Sequence, residues 1–105
     1  MKSAKQKGIR WENTVKAYFE SMSYYCIRSA ASLGDYDLIA ISSVGIKHRV
    51  FGIQCKVSHG MLSQEERVRM LQLAFRHGMT PILAYPRHGP RSKEKDNVVL
   101  EEVTS

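Results

Sequence analysis

Apolar positions along the chain change period several times, and each change marks an element. Trp11, Val15, Tyr18, Phe19 and Met22 recur three and four residues apart, predicting an amphipathic helix over residues 9–22. Glu12 falls at the edge of that stripe, where a carboxylate is half shielded from water. Three short runs rich in aromatic and β-branched residues follow, over 24–30, 36–42 and 49–58, and read as strands. Their links, Ser32-Leu33-Gly34-Asp35 and Ser43-Val44-Gly45, are short, which argues for antiparallel neighbours in a meander. Ser63-Gln64-Glu65-Glu66 reads as a capping box opening a second helix. That helix runs through Val68, Met70, Leu71, Leu73, Ala74 and Phe75 to Gly78, a natural left-handed terminator. Its apolar residues spread over more than one face, as in a helix covered by its own sheet and by a second subunit. Pro81 opens a strand that Pro86 closes, and residues 98–103 form a last, partly exposed one. The order α-β-β-β-α-β-β predicts an α/β layer, with helices flanking one central mixed sheet.

Composition narrows the class. At 105 residues the chain has room for one domain and one modest core. With 43% hydrophobic and 25% charged residues it fits neither a disordered nor a membrane class. No apolar run approaches the roughly 20 residues of a spanning helix. No apolar segment follows Lys2, Lys5, Lys7 and Arg10, so a secretory signal is not expected. Two cysteines, Cys26 and Cys55, are too few for a disulfide scaffold and read as buried free thiols of a cytoplasmic protein.

Charge adds a partner. Sixteen Lys and Arg against ten Asp and Glu leave +6, and the excess is clustered. One block is the N-terminus, read as a basic flexible arm over residues 1–8; the other is a basic loop over 86–97. A polyanion, most simply nucleic acid, accounts for both.

Strand alternation supplies candidate chemistry. Phe51, Ile53, Cys55 and Val57 point one way and Gly52, Gln54 and Lys56 the other, so two polar groups share one face of an apolar strand. Asp37 sits at the mouth of the apolar run Leu38-Ile39-Ala40-Ile41, rigid yet reachable from solvent. Phosphodiester hydrolysis uses a divalent metal to neutralise the phosphate and activate water. Magnesium takes a few carboxylate oxygens and keeps its waters, and a lysine beside it can orient the nucleophile. Glu12, Asp37, Gln54 and Lys56 are those residue types. The four histidines, His48, His59, His77 and His88, have no zinc-ligand spacing.

The sequence resembles the archaeal-type Holliday junction resolvases, small dimers of the PD-(D/E)XK nuclease superfamily. The residues that carry this are Lys7-Gly8 with Glu12, Ile27-Arg28-Ser29-Ala30 with Ser32, Asp37-Leu38-Ile39-Ala40 and Gly52-Ile53-Gln54-Cys55-Lys56-Val57. The resemblance spans about residues 5–85 and rests on the order and spacing of short motifs. It implies a restriction-endonuclease-like fold and a magnesium-dependent enzyme, with manganese as a substitute, that cuts four-way DNA junctions by paired nicks as a homodimer. It assigns Glu12, Asp37, Gln54 and Lys56 to catalysis. Metal ligation goes to Glu12, Asp37, Gln54 and the main-chain carbonyl of Cys55. DNA contact falls to Arg28, Ser29 and Ser32, joined on charge grounds by Lys5, Lys7 and Arg10. Two positions depart from the family pattern: Gln54 stands where a glutamate is usual, and Asn13 where an arginine is frequent. Two other readings follow from these residues: a DNA-binding module without catalysis, motivated by Gln54, and a nuclease of the same fold acting on another DNA substrate.

Overall fold

A computed structural model describes residues 4–29, 36–42, 49–94 and 96–104. Helix α1 (Ala4–Ser21) leads through a left-handed Ser23 into β1 (Tyr24–Arg28), followed by β2 (Leu38–Ser42) and β3 (Val50–Cys55). A 3-10 turn (His59–Met61) precedes α2 (Gln64–His77), and β4 (Thr80–Pro86) and β5 (Val98–Glu102) complete the chain. The strands form one sheet in sequence order, antiparallel at every junction except β3–β4, which is parallel. The mixed α/β sheet flanked by helices is thus as expected, including the β1–β3 meander. The parallel pair is made possible by α2, because strands running the same way need a crossover.

Boundaries differ in two places that matter. Helix α1 begins at Ala4, so positions 4–8 of the expected flexible arm are helical. Ala4, Lys5, Gln6 and Lys7 are good helix formers, and only Gly8 opposes them. Strand β3 stops at Cys55 rather than at Ser58, since the chain turns away into the 3-10 segment.

The alternation sorts the sheet into two faces. Leu38, Ala40, Ile53, Ile82 and Ala84 meet Trp11, Val15 and Phe19 of α1 in the larger core. Leu83, between Ile82 and Ala84 on β4, faces the other way and joins Tyr36, Met70 and Val103 in a smaller core beneath α2. Tyr36 and Leu38 are two residues apart yet belong to opposite cores, because the chain bends at Asp37. Gly52 is required beneath Tyr36: a Cβ there would lie 2.7 Å from the tyrosine ring. The predicted capping box forms, with Ser63 Oγ accepting from the Glu66 amide and Glu66 returning to the Ser63 amide, and Gly78 closes α2 at φ 68°. Among the described residues, no helix is long and apolar enough to cross a membrane.

Candidate active site

One backbone carbonyl aligns two of the candidate residues. Ala84 O, on inner strand β4, accepts from Trp11 Nε1 at 3.2 Å and from the Lys56 amide at 3.0 Å, using both lone pairs. The first bond fixes the rotation of α1 about its axis, and with it Glu12 beside Trp11. The second holds the end of β3, and with it Lys56.

Asp37 is fixed just as closely by its backbone. Its amide donates to Ile53 O at 2.8 Å and its carbonyl accepts from the Ser29 amide at 2.9 Å, so the bend is pinned to both neighbouring strands. Its carboxylate accepts the Cys55 amide at 2.7 Å. Burial pushes the Asp37 carboxyl above its usual range, against the pull of that amide and of the Lys56 ammonium. Burial also raises Glu12, and the charge of Asp37 raises it further, although Arg28 opposes both. Both acids are thus held above their usual range chiefly by burial, and Glu12 also by the charge of Asp37.

Arg28 Nη2 lies 3.3 Å from Glu12 Oε1, which brings the expected phosphate-binding arginine to the acids. Ser29, half-buried, follows it. Burial raises the Cys55 thiol far above neutrality, so its sulfur stays protonated and its observed contribution is the amide donated to Asp37.

Glu66 of α2 enters the site from the opposite face of the sheet. Its Oε2 lies 2.7 Å from Lys56 Nζ and accepts from Gln54 Nε2 at 3.1 Å, while Oε1 accepts the Ser63 amide at 3.1 Å. Burial alone would raise its carboxyl, but the Lys56 and Ser63 contacts outweigh it and hold Glu66 below its ordinary value. In the sequence Glu66 is only the last residue of a capping box. The added signal is its place in the first turn of the helix that crosses over the polar face of β3.

Gln54 Oε1 is buried and, among the described residues, has no hydrogen-bond partner. Among the described residues, no cluster of three or more His, Cys, Asp or Glu side chains is set to hold a metal ion. The donors present are hard oxygens: two carboxylates and an orphaned amide oxygen. That set fits magnesium, which binds through one or two carboxylates, keeps several waters and takes further oxygens from phosphates.

Not every expected DNA-binding residue converges here. Arg10 is about 200° around α1 from Glu12 and instead lines a groove of about 920 Å³ with Thr14, Arg91, Ser92 and Lys93. The loop forming the other wall is organised by Asn97, which is 2% exposed. Asn97 accepts the His88 amide at 2.7 Å and donates to Gly89 O at 2.9 Å and Ser92 O at 3.2 Å. The basic loop is therefore a built structure carrying Arg91 and Lys93, and nothing in the sequence pattern singles out Asn97. Lys5 and Lys7 lie on the first turns of α1, with side chains outside the described set, and Ser32 lies outside the described residues.

The fold has a counterpart among solved structures. The chain is similar to the 1.6 Å structure of Hjc, a Holliday junction resolvase of the archaeal hyperthermophile Archaeoglobus fulgidus. The superposition has a TM-score of 0.65 and 17% sequence identity, covering 91% of this chain and 84% of that one. No protein-family model matches the sequence, and no curated protein is significantly similar to it.

Proposed function

We propose that this chain is a magnesium-dependent endonuclease that resolves four-way DNA junctions by paired nicks, working as a homodimer. The observation that carries the reading is the convergence of Glu12, Asp37 and Lys56 at one end of the sheet, on a fold like that of a known junction resolvase. Glu12, Asp37, Gln54 Oε1 and the Cys55 carbonyl are the groups that would hold the metal. When bound, the metal neutralises the scissile phosphate and acidifies an attacking water. Asp37, clamped by the Cys55 amide, keeps one carboxylate oxygen at a fixed place. Lys56 offers an ammonium to the nucleophile or to the charge developing on phosphate. Arg28 gives the neighbouring phosphate a cation, and Ser29, with Ser32, gives it hydroxyls. The groove between Arg10 and the basic loop offers a second cationic track for a DNA arm, and Lys5 and Lys7 add charge to the first turns of α1.

Two strands must be cut symmetrically to resolve a junction, which calls for two sites related by a two-fold axis. Val68, Leu71 and Phe75 form an apolar stripe on α2 beside the buried stripe of Met70 and Ala74, and Phe75 is 93% exposed. That stripe is the surface we assign to the second copy. The test is incubation of the pure protein with labelled four-way junction, linear duplex and flap DNA, with and without magnesium. Magnesium-dependent nicks on opposed junction strands are expected. Equal cutting of linear duplex would favour a nuclease of other specificity, and junction binding without cutting would favour a DNA-binding module. The neutral residue at position 54 is the specific feature that favours this second reading.

A further inference from the structure

The contact between Gln54 and Glu66 joins two unusual features of the site: a metal-site position without its charge, and a helix carboxylate aimed at that position from the far side. Resting on the nuclease reading, we propose that the two residues act as an exchanged pair. Glu66 is a positioning residue: it supplies the negative charge absent at position 54 and fixes Gln54 and Lys56 for metal and phosphate.

The geometry sets the orientation of the amide. Glu66 is ionised and so an acceptor only, and the group facing its Oε2 at 3.1 Å has to be the Gln54 amide nitrogen. Turning the amide over would set two oxygens against each other. The charge on Glu66 therefore leaves Gln54 Oε1 as the buried acceptor without a donor among the described residues. A buried polar atom left orphaned by the described residues calls for an ion or a water, and in this reading a cation with its waters supplies the missing partner. The same Glu66 oxygen, 2.7 Å from Lys56 Nζ, holds the ammonium in place. Three functions that one strand glutamate would not combine are thus split between strand and helix: ligation by Gln54, charge by Glu66, and restraint of Lys56.

Metal uptake tests this without requiring cleavage. Free Mn2+ is titrated by electron paramagnetic resonance against the wild-type chain and against Glu66→Gln, Gln54→Met, Gln54→Glu, the double exchange Gln54→Glu with Glu66→Gln, and Ser63→Ala, with a thermal melt of each. Glu66→Gln frees the amide to turn over and is expected to weaken Mn2+ binding by about 10- to 100-fold, the usual cost of losing an outer partner of a metal ligand. Gln54→Met, which removes the acceptor and keeps the bulk, should lose as much. Gln54→Glu alone sets two carboxylates in contact and should melt lower. The double exchange reverses the hydrogen bond and should regain both the melting temperature and wild-type or tighter Mn2+ binding. Ser63→Ala removes the cap but leaves the Gln54–Glu66–Lys56 contacts, so it should melt lower with Mn2+ binding unchanged.

Wild-type binding by Glu66→Gln or Gln54→Met would overturn the proposal, as would a double exchange whose losses simply add. An equal loss in Ser63→Ala would reduce Glu66 to a helix cap and overturn it too. A wild-type chain that takes up no Mn2+ would overturn the nuclease reading itself.

Discussion

Each helix sends a glutamate to the same end of the sheet, yet the two are held in place by different means. Helix α1 buries Trp11, Val15 and Phe19 in the larger core and hydrogen-bonds β4 through its indole. Helix α2 buries only Met70 and Ala74 and is tied down by Tyr36, whose hydroxyl donates to Met70 O, and by its caps. The α1 side is a packed wall that carries Glu12 as a fixed point. The α2 side is a lighter lid, with polar contacts in place of apolar area and apolar residues left over on its outer surface.

Breaking this asymmetry should give graded effects. The largest is expected at the seam, where Asp37 divides the two cores. Asp37→Asn keeps an acceptor for the Cys55 amide but removes the charge, and should lower junction cutting at least about a thousandfold, as for loss of several kcal/mol of metal-assisted stabilisation. Junction binding should change little. The metal-free stability moves the other way. Because burial raises the Asp37 carboxyl, its contribution is full below the ordinary carboxylate range and is lost as pH rises through the elevated value. Asp37→Asn should therefore melt higher than the wild type at neutral pH and match it in acid. Cutting by the wild type should fail on the acid side at a higher pH than ordinary carboxylates dictate, since Glu12 is raised as well.

Next comes the rigid wall. Trp11→Ala removes the α1 anchor and should cost about 3–5 kcal/mol in denaturant unfolding. On the lid side, Gly52→Ala drives a methyl into the Tyr36 ring and should cost about 1–3 kcal/mol. A loss there as large as that of Trp11→Ala would erase the distinction between the two sides. The smallest stability change is expected at Phe75. Phe75→Ser should stay within about 0.5 kcal/mol of wild type as a folded unit, while shifting sedimentation toward the monomer if the α2 stripe carries the second copy. In the groove, Arg91→Ala with Lys93→Ala should weaken junction binding and lower its salt slope by roughly 0.9 for each phosphate no longer neutralised.

Much of this is legible in the residues because it is local. Period 2 in Phe51 to Val57 puts Gln54 and Lys56 on one face, and the spacing of Trp11, Val15 and Phe19 sets Glu12 at the edge of a buried stripe. The capping box and Gly78 bound α2 closely. What escapes lies between elements distant in sequence. Glu66 meets Gln54 and Lys56 only because α2 crosses back over β3, and a capping motif read locally accounts for Glu66 by itself. Asn97 turns a run of basic residues into an ordered loop through three backbone contacts, none of which follows a period. Charge alone groups Arg10 with the site, whereas helical rotation sends it to a separate groove.

The shared Ala84 carbonyl also bears on how the chain is made. Arg28 reaches Glu12 across 16 residues and Cys55 reaches Asp37 across 18, but Trp11 must wait for an acceptor 73 residues further along. On the ribosome, where the N-terminal end emerges first, the meander has its partners early, while the aromatic stripe of α1 has no β4 to dock on until most of the chain has been synthesised. Contacts so distant in sequence slow closure, and Trp11 stays without this acceptor until β4 has emerged, although Phe19 already has Tyr24 and Phe51 to pack on. The bond that makes the finished site rigid is thus one of the last that the emerging chain can close.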